Sequence, residues 1–223
     1  MDYLLTSVML GSLYVLVTIL VSLKPINKID VTVASWVSGI RRLKAIDYAA
    51  VLLTKYGRFY TWGLVDLVLL VMRLWAPFLE LTIAMGIAYV IGGVTRLLVR
   101  RQRPYESGYG KPILIASGYS YPSGHAAIVF SGALVTLTSL GGLVSWILLT
   151  EAILVSVSRI YLNAHYLTDV LGGLLLGLTS SLLAIILAPI TASILETLLR
   201  VNLALYLYSF YQYLRVLMLI IFY

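Results

Sequence analysis

Long runs of residues without a charged side chain are the feature that most limits what this chain can fold into. The first run, from Tyr3 to Leu23, has 21 positions without Asp, Glu, Lys or Arg and ends at Lys24-Pro25. A helix that spans a bilayer needs about 20 mostly apolar residues. The run is too long for a signal peptide and lacks a basic start and a small-residue cleavage site. It therefore predicts a membrane-spanning helix.

The composition agrees with a membrane protein. Apolar residues make up 61% of the 223 positions and charged residues 11%, against about 45–50% and about 25% in soluble domains. These proportions exclude disorder and a water-soluble fold, and the absence of Cys excludes disulfides, thiol chemistry and thiolate metal sites. The net charge of +7 then indicates the bilayer's anionic head groups or a phosphate-bearing lipid substrate as partners, and no nucleic acid.

The hydropathy pattern predicts an all-α integral membrane protein of six transmembrane helices, forming one domain over residues 1–223. Seven Lys or Arg interleave with apolar residues between Lys24 and Arg58, which favours interfacial helices there. A Tyr-rich tail beyond Arg200 is either an extra C-terminal span or an interfacial helix. The predicted spans are Tyr3–Leu23, Phe59–Leu74 with part of Ala49–Thr54, Pro77–Leu98, two helices divided by Gly141-Gly142, and Tyr166 to Ala188-Pro189.

Gly173 and Gly177 lie four positions apart in the sixth predicted span. This spacing is typical of close contact between membrane helices.

The two His of the chain lie near the starts of predicted spans. His165 and Asp169 are four positions apart, so a helix beginning here places the carboxylate over the imidazole. Such a carboxylate can hold one ring N–H and leave the other nitrogen free as a nucleophile or base. Arg159, six residues before His165, can fold back beside it.

A second segment predicts an anion site at a helix start. Ser123 is a favourable N-cap residue, and Gly124 allows close approach of a ligand to the backbone N–H groups. His125 then stands beside that site.

Arg96 and Arg103 form a third candidate group. They are seven positions apart, two turns of helix, and a guanidinium binds phosphate oxygens as a fork. Arg100 and Arg101, between them, are expected to be interfacial anchors. Together, the three segments predict a phosphate site with three Arg, which can stabilise phosphoryl transfer without a metal.

These three segments, in this order, closely resemble the signature of the type-2 phosphatidic acid phosphatase superfamily, six-helix membrane enzymes that remove phosphate from lipid phosphates and diphosphates. The resemblance covers roughly residues 90–180, and one departure is Arg96, where the family usually has Lys. The blocks that carry it are Arg96-x6-Arg103-Pro104, Pro122-Ser123-Gly124-His125 and Ser158-Arg159-x5-His165-x3-Asp169.

The resemblance implies a role for each residue. His165 attacks phosphorus to form a phosphohistidine and Asp169 holds it, while His125 protonates the leaving oxygen and then activates water. No metal or other cofactor is implied. The phosphate oxygens are expected to be bound by Arg96, Arg103, Arg159, Ser123 and Gly124.

The resemblance implies a lipid phosphatase acting on an isoprenyl diphosphate, such as a polyprenyl carrier, or on a glycerolipid phosphate. One alternative is a phosphotransferase, in which an acceptor hydroxyl replaces water at the phosphohistidine. A second is a non-catalytic binder or transporter of lipid phosphates.

The side of the membrane that carries the site receives two conflicting indications. Thirteen of the 16 basic residues fall on the face of the predicted active site, which places that face in the cytoplasm by the positive-inside rule. The family resemblance implies the opposite face of the cell membrane. Residues that bind an anionic substrate are basic on either side of the membrane, which weakens the positive-inside rule here. We therefore expect the site on the non-cytoplasmic face, as the resemblance implies.

Overall fold

The computed structural model describes residues 2–23, 27–109 and 112–222, with the side chains of 27, 201–207 and 209–222 left out. Within those ranges all regular secondary structure is α-helical, which confirms the predicted fold class. Lys24-Pro25, the predicted end of the first span, lies outside the described residues. The helices are α1 (Tyr3–Ser22), α2 (Asn27–Gly39), α3 (Lys44–Tyr56), α4 (Phe59–Val71), α5 (Trp75–Val99), α6 (Gly124–Ser139), α7 (Gly142–Tyr161) and α8 (Leu167–Phe222).

Four helices in the described part of the chain are long and apolar enough to cross a membrane: α1, α5, α7 and the Leu167–Arg200 part of α8. The other two predicted spans, α4 and α6, have 13 and 16 residues. At 1.5 Å per residue they reach about 20 and 24 Å, less than the roughly 30 Å of a hydrocarbon core. Six spans therefore remain a prediction.

The predicted extension of the second span into Ala49–Thr54 is wrong. Those residues belong to α3, which ends at Tyr56, and a turn at Gly57 separates it from α4. A Cβ atom on Gly57 would lie only 2.3 Å from Val155 of α7. The missing side chain lets this turn lie against α7, and the turn separates α3 from α4.

The helix α6 lies at the centre of the fold, in contact with α5, α7 and α8. Cβ atoms on Gly173 and Gly177 would lie 2.5 Å from the carbonyl oxygens of Ser123 and Ala127. The absence of side chains at these two positions allows α8 to lie directly on the first turn of α6. The predicted close contact is confirmed.

The helix does not end at Pro189, where the last predicted span ends, because α8 continues through it to Phe222. Pro189 removes one helical hydrogen bond, but an apolar run in a bilayer satisfies its remaining backbone groups best by staying helical. The Tyr-rich tail thus continues α8 rather than forming a separate helix.

We expect Gly132→Ala to destabilise the protein, because the new Cβ would lie 2.0 Å from the ring of Trp62, which is fully buried. Overpacking of this kind costs about 1–3 kcal/mol and should lower the midpoint of thermal unfolding in detergent. Gly63→Ala is the control, since a Cβ there meets nothing within 4 Å. Equal midpoints of thermal unfolding for the two variants would contradict the close packing of Gly132 against Trp62.

Candidate active site

The predicted site residues converge on one cavity of about 510 Å³ between the ends of five helices. Six of the eight line it. Ser123 and Asp169 are fully buried and support the cavity from behind. The six lining residues are Arg96, Arg103, Gly124, His125, Arg159 and His165.

His165 lies in the turn between α7 and α8 and is almost fully buried. Its Nε2 lies 3.3 Å from Nη1 of Arg103. A guanidinium can only donate, so Nε2 accepts and the ring proton resides on Nδ1. Burial, followed by the charges of Arg159 and Arg103, lowers the pKa of His165 well below its ordinary value. The ring is therefore neutral near pH 7, with the lone pair of Nε2 at the cavity wall.

Asp169 supports His165 less directly than the sequence indicates. Its Oδ2 accepts a hydrogen bond from the backbone N–H of Tyr166 at 2.9 Å and lies 3.5 Å from Nδ1 of His165. Among the described residues, Nδ1 has no partner with hydrogen-bond geometry. The carboxylate is on the predicted side of the ring, at a distance longer than that of an ordinary hydrogen bond.

Arg101 is not the exposed interfacial anchor that the sequence predicts. Its guanidinium donates to Oδ1 of Asp169 at 2.7 Å and to Oδ2 of Asp30 at 2.5 Å, and its side chain is 11% exposed. Burial disfavours the charged form, but Asp169 and Asp30 outweigh burial and raise the pKa of Arg101. The Arg101 charge therefore holds the carboxylate that faces His165.

Asp30 connects this pair to α2. It is fully buried and also accepts hydrogen bonds from the N–H of Thr168 at 3.0 Å and from its hydroxyl at 2.6 Å. The carboxylate thus joins α2 to the loop after α5 and to the first turn of α8. No sequence motif marked Asp30, because its partners lie about 70 and 140 positions away in the chain.

Arg103 is held by backbone carbonyl groups. Its guanidinium donates to the oxygens of Gly118 at 2.9 Å, Ser117 at 2.8 Å and Ala164 at 2.8 Å. These bonds tie the loop that follows α5 to the turn that carries His165. Arg103 is consequently rigid, and its contact with Nε2 fixes the imidazole as well.

Thr54 of α3 joins two other site residues. Its hydroxyl accepts a hydrogen bond from Nη1 of Arg159 at 3.2 Å, and its carbonyl accepts one from Nε2 of His125 at 3.1 Å. A carbonyl only accepts, so His125 carries a proton on Nε2. Arg159 itself is 2% exposed, and its Nε has no partner among the described residues, which leaves an N–H for a ligand.

The start of α6 has the capped geometry that the sequence predicts. Ser123 Oγ accepts from the N–H of Ala126, although at a long 3.5 Å, and the Ser123 N–H donates to the carbonyl of Asp169 at 2.9 Å. A Cβ on Gly124 would lie 3.1 Å from Nη2 of Arg96. The missing side chain thus lets the Arg96 guanidinium lie beside the N-terminus of α6. The guanidinium and the free N–H groups of the helix then favour an anion at the same place.

All the charged side chains among the described residues that line the cavity are basic. No Asp or Glu is among the described residues that line it, so the cations are not neutralised within it. Such a site stabilises a multiply charged anion, and phosphate fits the forked donors of Arg. The five basic residues are Lys55, Arg58, Arg96, Arg103 and Arg159.

Apolar helices around a buried, cationic, histidine-containing cavity define a membrane protein that acts on phosphate groups. The profile of the PAP2 superfamily matches residues 77–191, and the chain belongs to this superfamily. It is therefore an integral membrane phosphatase. The family resemblance seen in the sequence is confirmed.

Individual relatives and a solved structure support this assignment. The chain is 40% identical over 142 residues to an undecaprenyl-diphosphatase of Sulfolobus acidocaldarius, covering 61% of this chain and 68% of that protein. It is 34% identical over 110 residues to phosphatidylglycerophosphatase B of Bacillus subtilis, covering 45% and 52%. Its fold resembles the crystal structure of a PAP2 type phosphatidylglycerolphosphate phosphatase from Bacillus subtilis, with a TM-score of 0.67, 22% identity and coverage of 80% and 93%.

We expect Asp30→Asn to weaken both stability and turnover. Removing one partner of a buried ion pair costs about 3 kcal/mol, and Arg101 would then hold Asp169 less firmly. The midpoint of thermal unfolding in detergent should fall, together with the rate of phosphate release.

The matched control is Glu196→Gln, which breaks the exposed pair with Arg200. Exposed pairs contribute at most about 1 kcal/mol, so this control should behave like the unchanged protein. Unchanged stability and turnover of Asp30→Asn would show that Asp30 does not support the site.

Proposed function

We propose that the protein hydrolyses a phosphate monoester or diphosphate of a membrane lipid through a phosphohistidine on Nε2 of His165. The observation that carries the proposal is the unprotonated Nε2 at the wall of the cationic cavity, held by Arg103 at 3.3 Å. In this proposal residues 1–223 act as one membrane-embedded unit whose chemistry lies within about 90–180.

The first step forms the bond between Nε2 and phosphorus, while the Nη1–H of Arg103 that Nε2 had accepted turns to a phosphate oxygen. As this bond forms, the bond from phosphorus to the lipid oxygen breaks, and Arg96, Arg103 and Arg159 stabilise the charge on the equatorial oxygens. Asp169 stabilises the positive charge that develops on the ring of His165. Ser123 holds the N-terminus of α6 in place, so that the N–H of Gly124 can bind the same phosphate.

His125 handles the protons of both steps. The negative charge of a bound phosphate favours the protonated imidazole, whose Nε2–H the Thr54 carbonyl accepts. Because Nε2–H stays on the Thr54 carbonyl, the proton on Nδ1 of this imidazolium passes to the leaving lipid oxygen. The neutral ring then takes a proton from water, which attacks the phosphohistidine and releases inorganic phosphate.

The relatives and the charge of the cavity support the proposed substrate class. The relatives are named undecaprenyl-diphosphatase and phosphatidylglycerophosphatase B, so isoprenyl diphosphates and glycerolipid phosphates are the candidates. We propose that no metal takes part, because the donors around the cavity are cationic guanidinium and ammonium groups that occupy the place of Mg²⁺ in charge stabilisation.

The proposed nucleophile predicts a labelled enzyme intermediate. Rapid acid-free quenching after mixing with farnesyl diphosphate labelled with ³²P in its terminal phosphate should yield base-stable, acid-labile label on the protein. Both the label and phosphate release should disappear in His165→Ala. In His125→Ala, phosphate release should fall by at least about 100-fold, the low end for general acid–base catalysis.

Thermal unfolding of each variant in detergent provides the control for folding, and the assays contain EDTA throughout. Near-normal turnover in His165→Ala, or label that persists in it, would overturn the nucleophile assignment. Turnover that requires removal of EDTA would contradict the metal-free site.

We further propose that the cavity opens on the non-cytoplasmic side of the cell membrane. Eight of the 13 basic residues on its face donate hydrogen bonds within the structure or line the cavity, and these charges do not report orientation. Arg42, for example, donates to the carbonyl of Tyr161. Arg200 on the other face is likewise paired, with Glu196, so five basic residues remain against two, which weakens the positive-inside argument.

Cysteine labelling can test this orientation, because the chain has no Cys of its own. Ser107→Cys places a thiol on the exposed loop beside the cavity, and Leu140→Cys places one at the opposite end of α6. In intact cells an impermeant maleimide should label the first variant and reach the second only after lysis. The reverse pattern would place the site in the cytoplasm.

A further inference from the structure

Arg58 is a cation of the cavity that belongs to none of the three sequence blocks. It lies in the turn between α3 and α4 and lines the same cavity as both His. It also lies outside residues 77–191, which match the superfamily profile. The reaction at His165 described above does not use it.

The guanidinium of Arg58 has no counter-charge among the residues that the structure describes. Its Nε is buried without a hydrogen-bond partner among the described residues, and Arg58 takes part in none of their ion pairs. Burial, together with the nearby charge of Arg96, lowers the pKa of Arg58. A half-buried cation without an anion is unfavourable, so the site is completed when an anion enters.

The backbone and one aromatic ring hold Arg58 in position. Gly57 lets the turn press against Val155, one helical turn before Arg159. The guanidinium carbon of Arg58 lies 4.0 Å from the ring centroid of Phe59, a cation–π contact that restricts the side chain. Arg58 is thus aimed at the cavity before any substrate binds.

Arg58 lies on the α3–α4 wall of the cavity, where Thr54 contacts both His125 and Arg159. Thr54, four residues earlier, accepts the N–H of His125, and His125 is the group that protonates the leaving oxygen. Arg103, in contrast, contacts His165 directly. The wall that carries Arg58 therefore meets His125, the proposed acid for the leaving group, whereas Arg103 meets the proposed nucleophile.

We infer that Arg58 binds the second phosphate of a lipid diphosphate, the one that leaves with the lipid, and so favours diphosphates over monophosphates. The inference rests on the proposed function and concerns the same cavity. A volume of about 510 Å³ lies within the range of pockets for whole ligands, about 300–1,000 Å³, so it exceeds what a single phosphate requires.

A lipid diphosphate reacts in two displacements at its terminal phosphorus. Nε2 of His165 bonds to the terminal phosphorus, and the bond from that phosphorus to the bridging oxygen breaks. The bridging oxygen leaves on the lipid monophosphate, where Arg58 stabilises its charge and His125 donates a proton. Water then takes the phosphoryl group from His165 and gives its proton to His125. A monophosphate ester leaves as an alcohol and offers Arg58 no charge.

The test compares kcat/KM for farnesyl diphosphate and farnesyl monophosphate in detergent, using Arg58→Gln, Arg58→Lys and Arg73→Gln. A charge-assisted contact to a substrate corresponds to about 10- to 100-fold in rate. Arg58→Gln should lose that factor for the diphosphate and less than about 3-fold for the monophosphate. Arg58→Lys, which keeps the charge, should show a smaller loss with the same selectivity.

Arg73→Gln is the matched control, because Arg73 is an exposed Arg at the other end of α4. This variant should leave kcat/KM unchanged for both substrates. Equal losses for the two substrates, or no loss in Arg58→Gln, would overturn the inference. Poor folding of Arg58→Gln would leave Arg58→Lys to decide, by whether its loss is confined to the diphosphate. His165→Ala tests the reaction separately: activity there would overturn the proposed function, whatever the ratio at Arg58.

Discussion

The direct contact between α6 and α8 is the constraint on which the rest of the site depends. Gly173 and Gly177 bring the backbone of α8 against Ser123 and Ala127, and the Ser123 N–H bonds to the Asp169 carbonyl beside this contact. In a bilayer such contacts are stabilised by van der Waals packing rather than by exclusion of water. Because both helices start at this point, the residues just before them meet at one end of the bundle.

The Arg side chains in and behind the cavity have two different kinds of surroundings. Arg101 is neutralised behind the site by Asp30 and Asp169, and this ion-pair cluster is part of the folded framework. Arg58, Arg96, Arg103 and Arg159 face the cavity, where no described carboxylate neutralises them. The acidic side chains are placed so that they support the site without competing with a bound phosphate.

Sequence alone predicted the helical class, the membrane location and the residues around the cavity, because spaced blocks and uncharged runs are local patterns. It missed Arg101 as a structural partner, since an Arg near a predicted span end looks the same whether it faces lipid head groups or a carboxylate. Asp30 and Thr54 were missed because their contacts depend on how α2 and α3 pack. The continuation of α8 through Pro189 was missed because Pro usually ends helices, while an apolar environment favours continuing them.

The cavity is assembled from two parts of the chain, of which one lies within the superfamily match and the other precedes it. Residues 77–191, which match the superfamily profile, provide both His and three of the Arg. The wall formed by Thr54, Lys55 and Arg58 comes from the earlier α3–α4 segment. Substitutions in that wall can change which lipid phosphate is accepted while the reacting groups stay in place, so the chemistry and the choice of substrate are free to diverge independently.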